Sequence, residues 1–174
     1  MTKALVVFES MFGNTEQIAQ AVAEGLRASM SVDVTEVIKA PAEPPADISL
    51  IVVGGPTEAF SMSRTKTRAD AVRQGGRPGR EEFGIREWIE GLPPGRSSAK
   101  LATFDTKIGR MRRLAGSAAK GAAKAGRHHG FDLALPPENF FVRDIAGPLV
   151  DGELDRARAW GQRLGELMSS SANR

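Results

Sequence analysis

The chain has 174 residues, of which 41% are hydrophobic and 26% charged, with a formal net charge of +3 and no cysteine. These values suit one globular domain that buries its core without staples. They exclude disulfides, thiolate catalysis, Fe–S clusters and cysteine-based zinc sites, and the charge is too mild to call for a nucleic-acid partner.

Apolar bursts alternate with amphipathic stretches along the chain. The N-terminal stretch has no leader-like pattern, and no apolar run approaches the roughly 20 residues of a membrane span, so a cytoplasmic protein is expected. Ala4 to Phe8 is a continuous apolar run, as in a strand covered on both faces. Thr15 to Ala28 has helical periodicity through Ile18, Val22 and Leu26. Val32, Val34 and Val37-Ile38 suggest a second strand, and Lys39 to Asp47 a Pro- and Ala-rich loop. Ile48 to Val53 reads as a third strand ended by Gly54-Gly55-Pro56.

Pro56 to Ser98 reads as a long irregular region. It holds helices near Thr67–Val72 and Glu81–Glu90, with a loop over Gln74–Arg80 between them. Ala99 to Phe104 is a fourth strand and Arg110 to Gly126 a helix. Phe131–Leu135 and Asn139–Val142 form one split strand. Asp151 is positioned to cap a last helix carrying Leu154, Ala157, Leu164 and Met168 on one face. Trp88 and Trp160 fall in helices, as packing residues. The repeated strand–helix order argues for a parallel sheet with helices on both faces.

The chemistry concentrates where the first strand meets the first helix. A helix N-terminus presents unpaired N–H groups and partial positive charge, which together favour an anion. Here Gly13 lets backbone approach closely, and Ser10, Asn14 and Thr15 add side-chain donors. A capped turn with Asn14 or Thr15 as N-cap is the plainer reading. The loop has neither the Gly-Lys-Ser/Thr of an NTP site nor the three glycines of a dinucleotide site.

The stretch Val6-Val7-Phe8-Glu9-Ser10-Met11-Phe12-Gly13-Asn14-Thr15-Glu16-Gln17-Ile18-Ala19-Gln20-Ala21-Val22 resembles the flavodoxin family signature. That pattern runs two aliphatics, an aromatic, a Ser or Thr, a small residue, Thr, Ala and an aliphatic. The resemblance implies a three-layer, doubly wound α/β fold with a five-stranded parallel sheet of order 2-1-3-4-5. It also implies flavin mononucleotide (FMN) at the carboxyl ends of strands 1, 3 and 4. Ser10, Met11, Phe12, Gly13, Asn14 and Thr15 would then cradle the phosphate. Phe60, Met62 and Phe104 would touch the ring, Pro56 and Thr57 would shape its wall, and Thr103 and backbone around Asp105 would meet the pyrimidine side.

By the same resemblance, few positive charges are expected near the ring, and the function is electron transfer to or from a protein partner. The chain has no tyrosine to stack on a flavin, and its positive charge departs from the acidic shuttle flavodoxins. Arg113, Lys120, Lys124 and Arg127 share one helical stripe, either a solvated face or a docking patch for an acidic redox partner. Arg64, Arg68, Arg73, Arg77 and Arg80 read mainly as solvated loop arginines. They also lend support to an NAD(P)H-dependent flavin or quinone reductase on the same fold. A flavin-free interaction domain is the remaining alternative.

Overall fold

A computed structural model describes residues 2–94, 98–109 and 116–172. The strands are β1 (Lys3–Phe8), β2 (Ser31–Glu36), β3 (Ile48–Glu58), β4 (Ser61–Met62), β5 (Lys100–Ile108) and β6 (Glu138–Val142). The helices are α1 (Asn14–Leu26), α2 (Thr65–Arg73), α3 (Ile85–Glu90), α4 (Ala118–His128) and α5 (Glu153–Ala172). The long strands pair in parallel in the order β2-β1-β3-β5-β6, and the short β4 folds back antiparallel on β3. With β4 set aside, this is the expected order 2-1-3-4-5.

Strand alternation explains why the apolar runs are continuous. In β1, Ala4, Val6 and Phe8 enter one core while Leu5 and Val7 enter the other, and in β3 Leu50 and Val52 oppose Ile51 and Val53 in the same way. Both faces are covered, so neither can be polar. The first core is closed by α1 and α5, through Ile18, Val22 and Leu26 on one and Trp160, Leu164 and Met168 on the other. The second is closed by α3 and α4, through Ile85, Trp88, Ile89, Ala118 and Ala122. Helices α1 and α5 lie close together because glycine sits at the crossing. A Cβ on Gly25 would overlap the Arg158 carbonyl, and one on Gly161 the Val22 carbonyl.

Several boundaries differ from expectation. Val37 to Lys39 is a 3₁₀ turn and not strand. The third strand runs on to Glu58, and the fourth to Ile108. The loop over Gln74–Arg80 is tied down: the Arg77 N–H donates to the Met11 carbonyl (2.8 Å), and Arg80 pairs with Glu36 (2.6 Å). The last helix starts at Glu153, after Gly152, whose carbonyl accepts its first bond. Asp151 therefore does not cap it, and pairs instead with Arg143 across 3.4 Å. The first part of the expected helix Arg110–Gly126, with Arg113 of its stripe, lies outside the described residues. No helix among those described is long and apolar enough to cross a membrane.

Candidate functional site

A cavity of about 340 Å³ opens at the carboxyl ends of β1, β3 and β5, within the roughly 300–1,000 Å³ usual for small-molecule sites. One end is the turn from β1 into α1. Gly13 is the N-cap with φ 91°, a left-handed conformation that only glycine adopts freely. The first intrahelical bond runs from the Gln17 N–H to the Gly13 carbonyl, which leaves the Asn14 and Thr15 N–H groups without a partner inside the helix. The Ser10 hydroxyl accepts from the Gly13 N–H (3.1 Å) and the Glu16 N–H (3.3 Å). Its oxygen thus occupies the position of an acceptor at a helix N-terminus. Thr15 shares a 2.8 Å hydroxyl–hydroxyl bond with Thr106 of β5, so the turn is fixed against the sheet. Donor-rich and free of a nearby carboxylate in its lining turn, this end of the cavity fits a phosphate.

The other end is apolar. Strands β3 and β4 form a two-residue hairpin, with Ala59 (φ 45°) and Phe60 (φ 65°) both left-handed. Non-glycine residues rarely take this conformation, but a hairpin turn of this kind requires it of both central residues. The turn holds Phe60 out at the cavity mouth, 53% exposed, and Ile145 beyond β6 is 52% exposed there too. Val142 and Ile108 complete that wall, while Thr67 and Asp70 of α2 and Gln74 at its C-terminal cap supply a polar one. Glu58 also lines the cavity. Burial raises its carboxyl above the ordinary value, and its Oε2 is buried without a hydrogen-bond partner.

Ser10, Met11, Phe12, Asn14, Thr15, Pro56, Thr57 and Phe60 come together around this cavity, with Gly13 behind the turn. Four other expected site residues do not line it. Phe104 is 0% exposed and packs edge-to-face with Phe140 (6.0 Å) and Trp160 (6.2 Å), so its ring belongs to the core under Gly54 and not to a ligand. Met62 packs into the other core. The Thr103 hydroxyl donates to the Ala119 carbonyl. Asp105 is fully buried and accepts from Thr57, Ser117, Ala119 N–H and Asn139, which fastens the ends of β3, β5, β6 and α4 to one another. The reason is common to Thr103, Phe104 and Asp105: β5 continues past them, so the residues at the cavity are Thr106, Lys107 and Ile108.

Residues 6–64 match the family model for flavodoxin. The chain has a flavodoxin-like fold. A flavodoxin from the domain Archaea superposes with a TM-score of 0.66 at 19% identity, over 95% of this chain and 98% of that one. A Streptococcus pneumoniae flavodoxin gives 0.64 at 18% identity (97% and 99% covered), and flavodoxin 2 from Bacillus cereus 0.63 at 17% (97% and 99% covered). No curated protein matches the sequence. At these identities the likeness establishes the fold.

The chain carries a buried ionic cluster beneath the turn from β1 into α1 that the sequence did not reveal. Arg68 was expected in solvent, yet it is 0% exposed. Its guanidinium donates to the Glu81 carbonyl (2.7 Å), the Ser63 hydroxyl (2.9 Å) and the Glu87 carboxylate (2.7 Å), and lies 3.8 Å from Glu9. Glu9, adjoining Ser10, accepts from Ser63 (2.6 Å) and from the Ile85 N–H (3.0 Å). Burial pushes the Glu9 carboxyl up to about 7, although these hydrogen bonds and the Arg68 charge pull the other way. Glu87, also desolvated, is held below the ordinary value by its hydrogen bonds, that from Arg68 foremost.

The raised Glu9 value predicts a pH dependence. Between its ordinary value near 4.5 and about 7, the folded chain keeps a proton that the unfolded chain has released. The stability linked to Glu9 is therefore complete below pH 4.5 and is lost as pH rises to about 7, at about 1.4 kcal/mol per unit. Urea unfolding of wild type and Glu9→Gln across this window should show that slope in their difference. A pH-independent difference would mean that Glu9 is ionised throughout.

Proposed function

We propose that this chain is an FMN-binding redox protein, acting as one domain, that passes electrons to or from a protein partner. The observation that carries the reading is one cavity joining an anion-accepting helix N-terminus to an apolar mouth, at the strand-order switch point beside β1 and β3. In open α/β sheets, ligands bind in the crevice at that switch point, beyond the carboxyl ends of the strands. Bound FMN would supply the redox chemistry. The Ser10–Thr15 turn would hold its phosphate through N–H groups and hydroxyls. Phe60 and Ile145 would offer apolar surface to the ring, and the partnerless Glu58 oxygen would accept a ligand N–H or hydroxyl.

Two features favour a carrier over a reductase. Arg73, Arg77 and Arg80 are engaged by Asp70, Glu16 and Glu36, and Arg68 is buried, which leaves few of the loop arginines for a nicotinamide phosphate. Lys120, Lys124 and Arg127 stand exposed along α4, a surface suited to an acidic partner.

The test is an FMN titration of flavin-stripped protein, followed by quenching of flavin fluorescence. Wild type should bind at micromolar level or tighter, about −8 kcal/mol. Phe60→Ala should bind about tenfold more weakly while losing less than about 0.5 kcal/mol of stability, because its side chain is half exposed. Folded wild type that takes up no FMN would remove the proposal. Steady NAD(P)H consumption without an added reductase would replace the carrier with the reductase.

A further inference from the structure

Lys107 stands where the fold itself gives little reason for a lysine. At the end of β5 it lines the cavity beside Thr106 and Ile108 and is only 9% exposed. Lysine is rarely buried so deeply unless its charge is matched. Its ammonium has three N–H donors. One reaches the Gly116 carbonyl at 3.4 Å, the long limit for such a bond. Among the described residues it makes no ion pair, although Glu58 and Asp70 line the same cavity. A cation with unused donors on a cavity wall points to an anionic ligand.

We infer that Lys107 is an anion-binding residue of this cavity, and that its anion is the pyrimidine edge of the reduced flavin ring. The inference rests on the FMN reading above. An oxidised flavin ring is neutral. Addition of two electrons and one proton, at N5, leaves one negative charge shared between N1 and the adjoining C2 carbonyl. A nearby ammonium then binds the reduced ring more tightly than the oxidised one, which raises the midpoint potential. This runs opposite to the expectation of few positive charges near the ring. It gives the cavity an electrostatic character suited to accepting electrons.

The experiment is a dithionite titration of the FMN-loaded protein against a reference dye, for wild type, Lys107→Met, Lys107→Gln and Lys107→Arg. The affinity for oxidised FMN is measured in parallel by fluorescence quenching. Lys107→Met should hold oxidised FMN about as well as wild type and reduced FMN about tenfold less tightly. That ratio is a fall of about 30 mV for a two-electron couple. Lys107→Arg should stay near wild type. Lys107→Gln keeps a donor for the Gly116 carbonyl without the charge, and gives the same readout if the methionine variant fails to fold. An unchanged midpoint with FMN bound overturns the inference alone, whatever the melting temperature, since a merely structural lysine moves stability and not potential. Wild type that binds no FMN overturns the cofactor reading and this inference together.

Discussion

Gly13→Asp should lower FMN affinity by at least about 100-fold and leave riboflavin binding unchanged. The backbone at Gly13 is left-handed, which strains any side chain, but aspartate tolerates that conformation better than most residues, so the variant should fold with some loss of stability. A Cβ there has room, with Arg77 Nη2 the nearest atom at 3.4 Å. What changes is charge. A phosphate monoester carries about −1.5 to −2 at neutral pH. A new carboxylate about 5 Å away costs about 5 kcal/mol at an effective dielectric constant of about 20. Solvent and Arg77 reduce this, although Arg77 is already paired with Glu16 at 2.6 Å. About 3 kcal/mol remains, which is the 100-fold. Riboflavin lacks the phosphate and serves as the internal control. If both ligands weaken equally, the turn is not where the phosphate sits.

Arg68→Met should cost about 3–5 kcal/mol of folding stability, measured by urea unfolding of the FMN-free protein at pH 7. Removing one member of a buried ionic cluster leaves the others desolvated and unpaired. Here they are Glu9, Glu87, the Ser63 hydroxyl and the Glu81 carbonyl, reached from three nitrogens of one rigid fork. Lysine keeps the charge and not the fork, so Arg68→Lys should recover only part of the loss. For a chain of this length the methionine variant should melt about 10 °C lower. A difference below about 1 kcal/mol would show that the cluster is dispensable to the fold.

The sequence by itself determined the sheet, its two-sided cover and the glycine turn from β1 into α1. These depend on near neighbours: alternating side chains in Ala4–Phe8 and Ile48–Val53, helical spacing through Ile18, Val22 and Leu26, and a strand–glycine–helix junction within ten residues. Local physics is legible because its partners are adjacent in the chain.

Only the tertiary structure decided which residues of β5 and of the chain beyond β6 face the cavity. Asp105-Thr106-Lys107 is too polar to read as strand, yet β5 runs through it because Thr57, Ser117, the Ala119 N–H and Asn139 satisfy Asp105. That continuation moves the strand end by four residues, from Phe104 to Ile108. It sends Phe104 into the core and brings Lys107 to the cavity wall. The same holds for Ile145, which carries no local signal at all, whereas Phe60 is legible in the sequence as a cavity residue and only the hairpin that lifts it to the mouth is not. Arg68 is buried only because Glu9, Ser63 and Glu87 come from separate elements to meet it. Solvation of a polar group is set by partners distant in sequence, and periodicity along one segment carries no information about them.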